Sequence, residues 1–226
     1  MNPITPLVGR YAAILVTTLV LFVVEPVLAS EHHVPWGLLW VTLFVVLGSL
    51  RALWRSRFLV VLVGSLGLGF LSLEALEPVF GSSHLPVLTD AAGIAFMGAL
   101  SYGILADVFT RDQITVDTVF GASAVYLLIG LLFARLFLMV EFLEPGSFVV
   151  SDGFRPEIVA EGWRGSGILH YFSIVTLTTV GYGDVSPVAP LARNLAAVEG
   201  IVGQLYIAAV IARLVALYTS AHPRGK

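Results

Sequence analysis

Residues 176–184 read Thr176-Leu177-Thr178-Thr179-Val180-Gly181-Tyr182-Gly183-Asp184. The stretch lies between two long apolar segments, Thr118–Phe142 and Pro190–Tyr218. A third apolar segment, Ser166–Leu177, leads straight into it. That segment is too short to cross a bilayer, because a spanning helix needs about 20 mostly apolar residues. Non-helical backbone at membrane depth is tolerated only where it is buried in protein or lines a wet cavity. The order of segments therefore predicts a re-entrant helix that hands the chain to an irregular loop. Gly181 and Gly183 give that loop dihedrals that other L-residues resist.

The rest of the chain suits a membrane. Of its 226 residues 58% are hydrophobic and 12% charged, where a soluble globular chain carries about 25% charged residues. Six segments are long enough to span, roughly Val8–Leu28, Trp36–Trp54, Phe58–Leu76, Pro86–Phe109, Thr118–Phe142 and Pro190–Tyr218. The expected fold is an all-α integral membrane protein with six transmembrane helices and a re-entrant helix ahead of the loop at 176–184. Residues 1–115 form a four-helix membrane domain, and residues 116–226 form a second unit built around that loop. The absence of cysteine excludes disulfides and thiolate metal sites. The twelve basic residues are scattered rather than striped, which argues against a nucleic-acid partner. No nucleophile–base or nucleotide-binding pattern stands in a supporting context, so no enzyme and no cofactor are expected. Membrane lipids are the expected surroundings.

Charge orients the bundle. Arg51, Arg55 and Arg57 crowd the connection between the second and third segments, and Arg111 lies between the fourth and fifth. Arg10 opens the first segment, and Arg224 and Lys226 close the chain. The loops around Glu31–Pro35 and Glu77–Leu85 contain no Lys or Arg. By the positive-inside rule both termini are cytoplasmic, in a plasma or bacterial inner membrane, and the loop at 176–184 enters from outside. Val27-Leu28-Ala29 has the small-residue look of a signal cleavage site, but the long apolar run before it favours a retained helix. Glu144–Gly165, the longest polar stretch, is expected to be an extracellular turret.

Residues 176–184 and their flanks resemble the tetrameric potassium channel family, in which two helices surround one pore loop per subunit. The resemblance covers roughly Thr118–Tyr218 and the motif is highly specific. It implies a filter in which a permeant potassium ion exchanges its water for backbone carbonyls of Thr179, Val180, Gly181 and Tyr182, with the Thr179 hydroxyl as the innermost ring and Gly183 supplying freedom at the outer end. It also implies supporting roles for Tyr171, Phe172, Thr176, Thr178 and Asp184. Tyr171 and Phe172 stand where many relatives have two tryptophans, and Tyr171 is expected to donate to Asp184. Val180 and Tyr182 point away from the ion column into this cuff. One loop supplies a quarter of the ring, and a monomer exposes carbonyls to lipid, so a homotetramer is expected. The four front segments resemble a six-helix channel in layout alone. Pro86–Phe109 contains Asp90 and Asp107 but no Arg or Lys, so it lacks the charge ladder of voltage-gated relatives, and the channel is expected to be voltage-independent. A non-conducting sensor or regulatory subunit that keeps the motif is the alternative of a different class.

Further residues carry specific expectations. Gly200 and Gly203 are candidates for a gating hinge or for close helix packing. Gln204 is a candidate for the inner cavity. Arg135 and Glu199 are ionisable residues inside spans at similar depth, and such residues are functional or paired by default; an ion pair between them is expected. Glu74 and Asp90 are expected to reach water near the outer ends of their helices. Arg213 is expected to snorkel to headgroups, with pairing to Asp107 or Asp117 as the other reading.

Overall fold

The computed structural model describes residues 9–29, 35–54, 56–80, 84–110, 115–151 and 167–221. The described elements are seven helices and two short strands. They run α1 (Ala12–Ala29), α2 (Pro35–Ala52), α3 (Arg57–Phe80), α4 (Leu85–Thr110), α5 (Val116–Leu143), β1 (Phe148–Val150), α6 (Ile168–Leu177), β2 (Val185–Pro187) and α7 (Pro190–Ala221). Four of them, α3, α4, α5 and α7, contain described stretches long and apolar enough to cross a membrane. The chain is a multi-pass membrane protein.

Helix α5 is the mast of the structure. The helices α1 to α4 pack in sequence order, α4 and α1 both pack on α5, and α6 and α7 pack on it too. This explains why α5 is the most buried of the four spans. Its start is fixed by Thr115, whose side chain accepts from the Thr118 amide while the Thr118 side chain accepts from the Thr115 amide. That reciprocal arrangement satisfies two amides that the helix itself leaves unpaired.

Two apolar clusters meet along α5. One joins α1 to α4 with α5 through Tyr11, Phe70, Phe96, Leu100, Ile104 and Leu128. The other sits around α6 and is aromatic: the Phe137 ring lies 5.1 Å from Phe172 and 5.5 Å from Phe148, both edge-on, the arrangement that ring quadrupoles favour.

The expected turret begins differently from its sequence reading. Phe148–Val150 forms an antiparallel ribbon with Val185–Pro187, with Val149 opposite Ser186. The Ser151 amide extends it by donating to the Asp184 carbonyl at 2.8 Å. The segment leaving α5 is thus bonded to the segment that follows residue 184. Strand pairing across 35 or more residues leaves no local periodic signal, which is why the sequence reading missed it. The remainder of the turret, and Ser166 at the expected start of the pore helix, lie outside the described residues.

Candidate functional site

Helix α6 is short because its C-terminal turn is rewired into the loop. The Thr178 amide donates to Ile174 O at 2.9 Å, Thr179 to Thr176 O at 3.0 Å and Val180 to Val175 O at 2.9 Å. Gly181 donates to the same Val175 carbonyl at 3.3 Å. The amides of the loop therefore turn back onto the helix end. The carbonyls of Thr179, Val180, Gly181 and Tyr182 accept no hydrogen bond among the described residues. Residues 178–183 are all exposed on the isolated chain.

Alternation of the backbone produces this separation of donors from acceptors. Thr179, Gly181 and Gly183 have φ of 59°, 56° and 77°, with ordinary residues between them. Gly181 and Gly183 adopt such angles without a Cβ penalty. Thr179 does not: positive φ in a β-branched residue is an outlier and costs about 1–2 kcal/mol. The two glycines were legible from their spacing, whereas the third left-handed position was hidden under a threonine.

Side chains behind the loop brace it. The Tyr171 hydroxyl donates to Asp184 Oδ2 at 2.6 Å, and Asp184 Oδ1 accepts from the Val185 amide at 3.0 Å. The Tyr171 and Tyr182 rings lie parallel at 6.5 Å. Phe172 is buried in the aromatic cluster. Thr178 Oγ1 donates to Ile174 O at 2.6 Å, and Thr176 O receives the Thr179 amide. Val180 and Tyr182 are 51% and 71% exposed, so this chain alone covers neither.

The helix after the loop closes on α6 from the other side. A Cβ on Gly203 would meet the Leu177 carbonyl oxygen at 2.5 Å, whereas one on Gly200 would meet nothing within 4 Å of its own chain. Gly203 thus stands at a close helix contact of the kind small residues permit. The same Leu177 carbonyl accepts from the Tyr126 hydroxyl at 3.1 Å, and the Tyr206 hydroxyl donates to Ala122 O at 2.6 Å. Gln204 is exposed.

The expected Arg135–Glu199 pair does not form. Arg135 Nη1 lies 3.5 Å from Asp90 Oδ1 and Nη2 lies 3.6 Å from Glu74 Oε1, with the guanidinium over the Phe70 ring. Glu199 instead meets Ser173 of α6. Equal depth was the basis of the expected pair, but depth leaves the rotational face of each helix open. Arg135 faces α3 and α4, while Glu199 faces α6. The same cluster corrects the expectation that Glu74 and Asp90 reach water: Asp90 is fully buried and the Glu74 side chain is 11% exposed. At the other end of α4, Asp107 Oδ2 accepts from Arg10 at 3.2 Å and from the Tyr11 hydroxyl at 2.5 Å. Arg213 Nη2 donates to the Phe109 carbonyl at 3.0 Å, a backbone partner that neither sequence reading named.

One functional-looking carboxylate escaped the sequence reading. Glu141, 7% exposed, accepts from the Gly146 amide at 2.8 Å and the Phe148 amide at 3.1 Å. It satisfies the turn between α5 and β1. The available signal was a glutamate one turn before Glu144-Pro145-Gly146.

A short apolar helix, an irregular loop whose carbonyls at 179–182 accept no hydrogen bond among the described residues and two long flanking helices make up the second half of the chain. Residues 114–220 match the ion channel family model Ion_trans_2. Over 101 residues the chain is 31% identical to the inward rectifier potassium channel Kirbac3.1 of Paramagnetospirillum magnetotacticum, a match covering 43% of this chain and 28% of that relative. The matched stretch is thus less than a third of the relative's length. No solved structure matches significantly. Residues 114–220, a little under half of the chain, are thus similar to ion channels.

Proposed function

We propose that the chain conducts potassium ions passively through a homotetrameric pore, with Thr179, Val180, Gly181, Tyr182 and Gly183 as the selectivity filter. The observation that carries this reading is the row of carbonyls at 179–182 that accept no hydrogen bond among the described residues. A backbone carbonyl without a donor is costly away from water, and a dehydrated cation supplies what the missing donor does not. Alternating dihedrals aim such carbonyls to one side. The C-terminal end of α6, with its partial negative charge, favours a cation beside it. Four copies complete the ring and cover Val180 and Tyr182, which a single chain leaves exposed.

The six helices α1 to α5 and α7 all span in this reading, and α6 re-enters from outside. Arginines at 51, 55, 57 and 111 keep their loops, and both termini, on the cytoplasmic side. Residues 1–115 act as a scaffold and 116–226 as the pore unit. Because α4 has no basic residue, it carries no voltage-sensing ladder.

Potassium flux into liposomes holding the purified protein, blocked by barium and coupled to cross-linking to four copies, tests the reading. Flux of potassium over sodium with a tetrameric ladder is the expected result. A correctly assembled protein with no flux favours a regulatory subunit and overturns it.

A further inference from the structure

We propose that Glu199 is a positioning residue for the pore loop: a protonated carboxyl that ties α7 to the pore helix through Ser173, so that the position of α7 sets that of the loop. Its functional consequence rests on the potassium-channel reading; its chemistry stands on contacts within one chain.

Glu199 is fully buried by its own chain. Ser173 Oγ lies 2.5 Å from Glu199 Oε1 and 2.6 Å from the Gly130 carbonyl oxygen. A serine hydroxyl has one proton to donate. At 2.6 Å the contact with the Gly130 carbonyl needs that proton, since two acceptor oxygens with none between them repel. Ser173 then faces Glu199 as an acceptor. A carboxylate has no proton to offer, so the carboxyl is the donor and is neutral. The proton positions follow from this network.

The surroundings agree. Among the described residues no Lys, Arg or His pairs with Glu199, and its Oε2 makes no hydrogen bond. A buried, unpaired carboxylate is far costlier than a neutral acid with one oxygen unsatisfied. The resulting chain of donors runs from Glu199 on α7 to Ser173 on α6 to Gly130 on α5. It joins the three helices of the pore half at one level.

Two contacts of α7 then act on a single turn of α6. Glu199 is bonded to Ser173, and one turn along each helix Gly203 abuts the Leu177 carbonyl. Leu177 is the last residue of α6 before the filter amides turn back on the helix end. A rotation or shift of α7 therefore pulls at Ser173 and presses at Leu177 together, and the loop beyond moves with the turn.

The test compares wild type with Glu199→Gln, Glu199→Ala, Ser173→Ala and the Ser173→Ala/Glu199→Ala double variant in liposomes. Glutamine keeps a donor and an acceptor in the same shape, so Glu199→Gln retains flux within about twofold of wild type. Each alanine breaks the link and shortens single-channel open time by about tenfold. The double variant loses no more than the worse single one, because both remove the same link. Unchanged open times and potassium-over-sodium selectivity in assembled alanine variants overturn the proposal, as do losses that simply add. If alanine variants do not assemble, Glu199→Gln decides: an assembled glutamine channel that has lost flux also overturns it. The infrared C=O stretch of a protonated carboxyl gives a readout independent of conduction. It is expected in wild type, absent in Glu199→Gln and shifted in Ser173→Ala; its absence from wild type refutes the neutral acid. A wild type that keeps the band but passes no potassium counts against the channel reading and not against the Ser173–Glu199 bond.

Discussion

Replacing Gly203 by alanine separates close packing from hinge motion in α7. The new Cβ would stand 2.5 Å from the Leu177 carbonyl oxygen and 2.9 Å from Leu177 Cδ1. Ordinary carbon–oxygen contacts are about 3.3–3.6 Å, so α7 and the end of α6 must part by roughly 1 Å. The obstacle is backbone, and no side-chain rotation relieves it. Overpacking of this kind costs about 1–3 kcal/mol. Displacing the Leu177 carbonyl also stretches its 3.1 Å bond from Tyr126, worth about 0.5–1.5 kcal/mol. Alanine returns about 1 kcal/mol of helix propensity. The net expectation is a destabilisation of about 1–3 kcal/mol per subunit. Gly200→Ala is the internal control: with nothing of its own chain within 4 Å, it keeps the propensity gain of about 1 kcal/mol. Thermal dissociation of the detergent-solubilised oligomer reads both, and liposome flux reports whether the loop is disturbed. A Gly203→Ala protein as stable and as conductive as wild type, or a Gly200→Ala protein that is the more damaged of the two, refutes the packing argument.

Three other substitutions probe separate parts. Tyr171→Phe deletes the 2.6 Å bond to Asp184, worth about 1.5–3 kcal/mol because its acceptor is charged; faster inactivation in single-channel recordings is expected, and wild-type inactivation counts against a bracing role. Arg135→Met removes the buried cation that Glu74 and Asp90 share and costs about 3–5 kcal/mol, read as loss of a monodisperse protein on size exclusion. Adding Glu74→Gln and Asp90→Asn to that variant restores it, and failure to do so argues that the guanidinium matters for its shape rather than its charge. Glu141→Ala leaves the Gly146 and Phe148 amides without their acceptor; a loss of about 1–3 kcal/mol in thermal stability is expected, and an unchanged melting temperature shows that water replaces the carboxylate.

The helices and the loop at 176–184 were legible because both leave local signatures, apolar length in one case and glycine spacing in the other. The segment boundaries fell within four residues of the helices observed, the largest differences being α1, which begins at Ala12 rather than Val8, and α3, which runs on to Phe80 rather than Leu76. The Tyr171–Asp184 bond was also readable, since α6 and the loop are contiguous in the chain. Pairings between distant helices were not. Arg135 and Glu199 stood out as ionisable residues inside spans, whereas Glu74 and Asp90 were expected to reach water, because finding the partners of Arg135 requires the rotation of each helix about its axis. Apolar residues surround these helices on most sides, so no amphipathic stripe reveals that rotation. The left-handed Thr179 and the β1–β2 ribbon were hidden for a related reason. One is dictated by neighbouring backbone groups and the other by strand pairing across α6, and neither is a property of the residues themselves.

Helix α4 is fastened near both ends, by Asp90 to Arg135 of α5 and by Asp107 to Arg10 and Tyr11 at the start of α1. The two acids are separated by about 25 Å along the helix. A one-turn slide of α4 past its neighbours, about 5.4 Å, would open both fastenings at once. Force reaching α4 from the bilayer would therefore be divided between two distant points, one on α5 and one at the start of α1, rather than drive the piston stroke of a single helix.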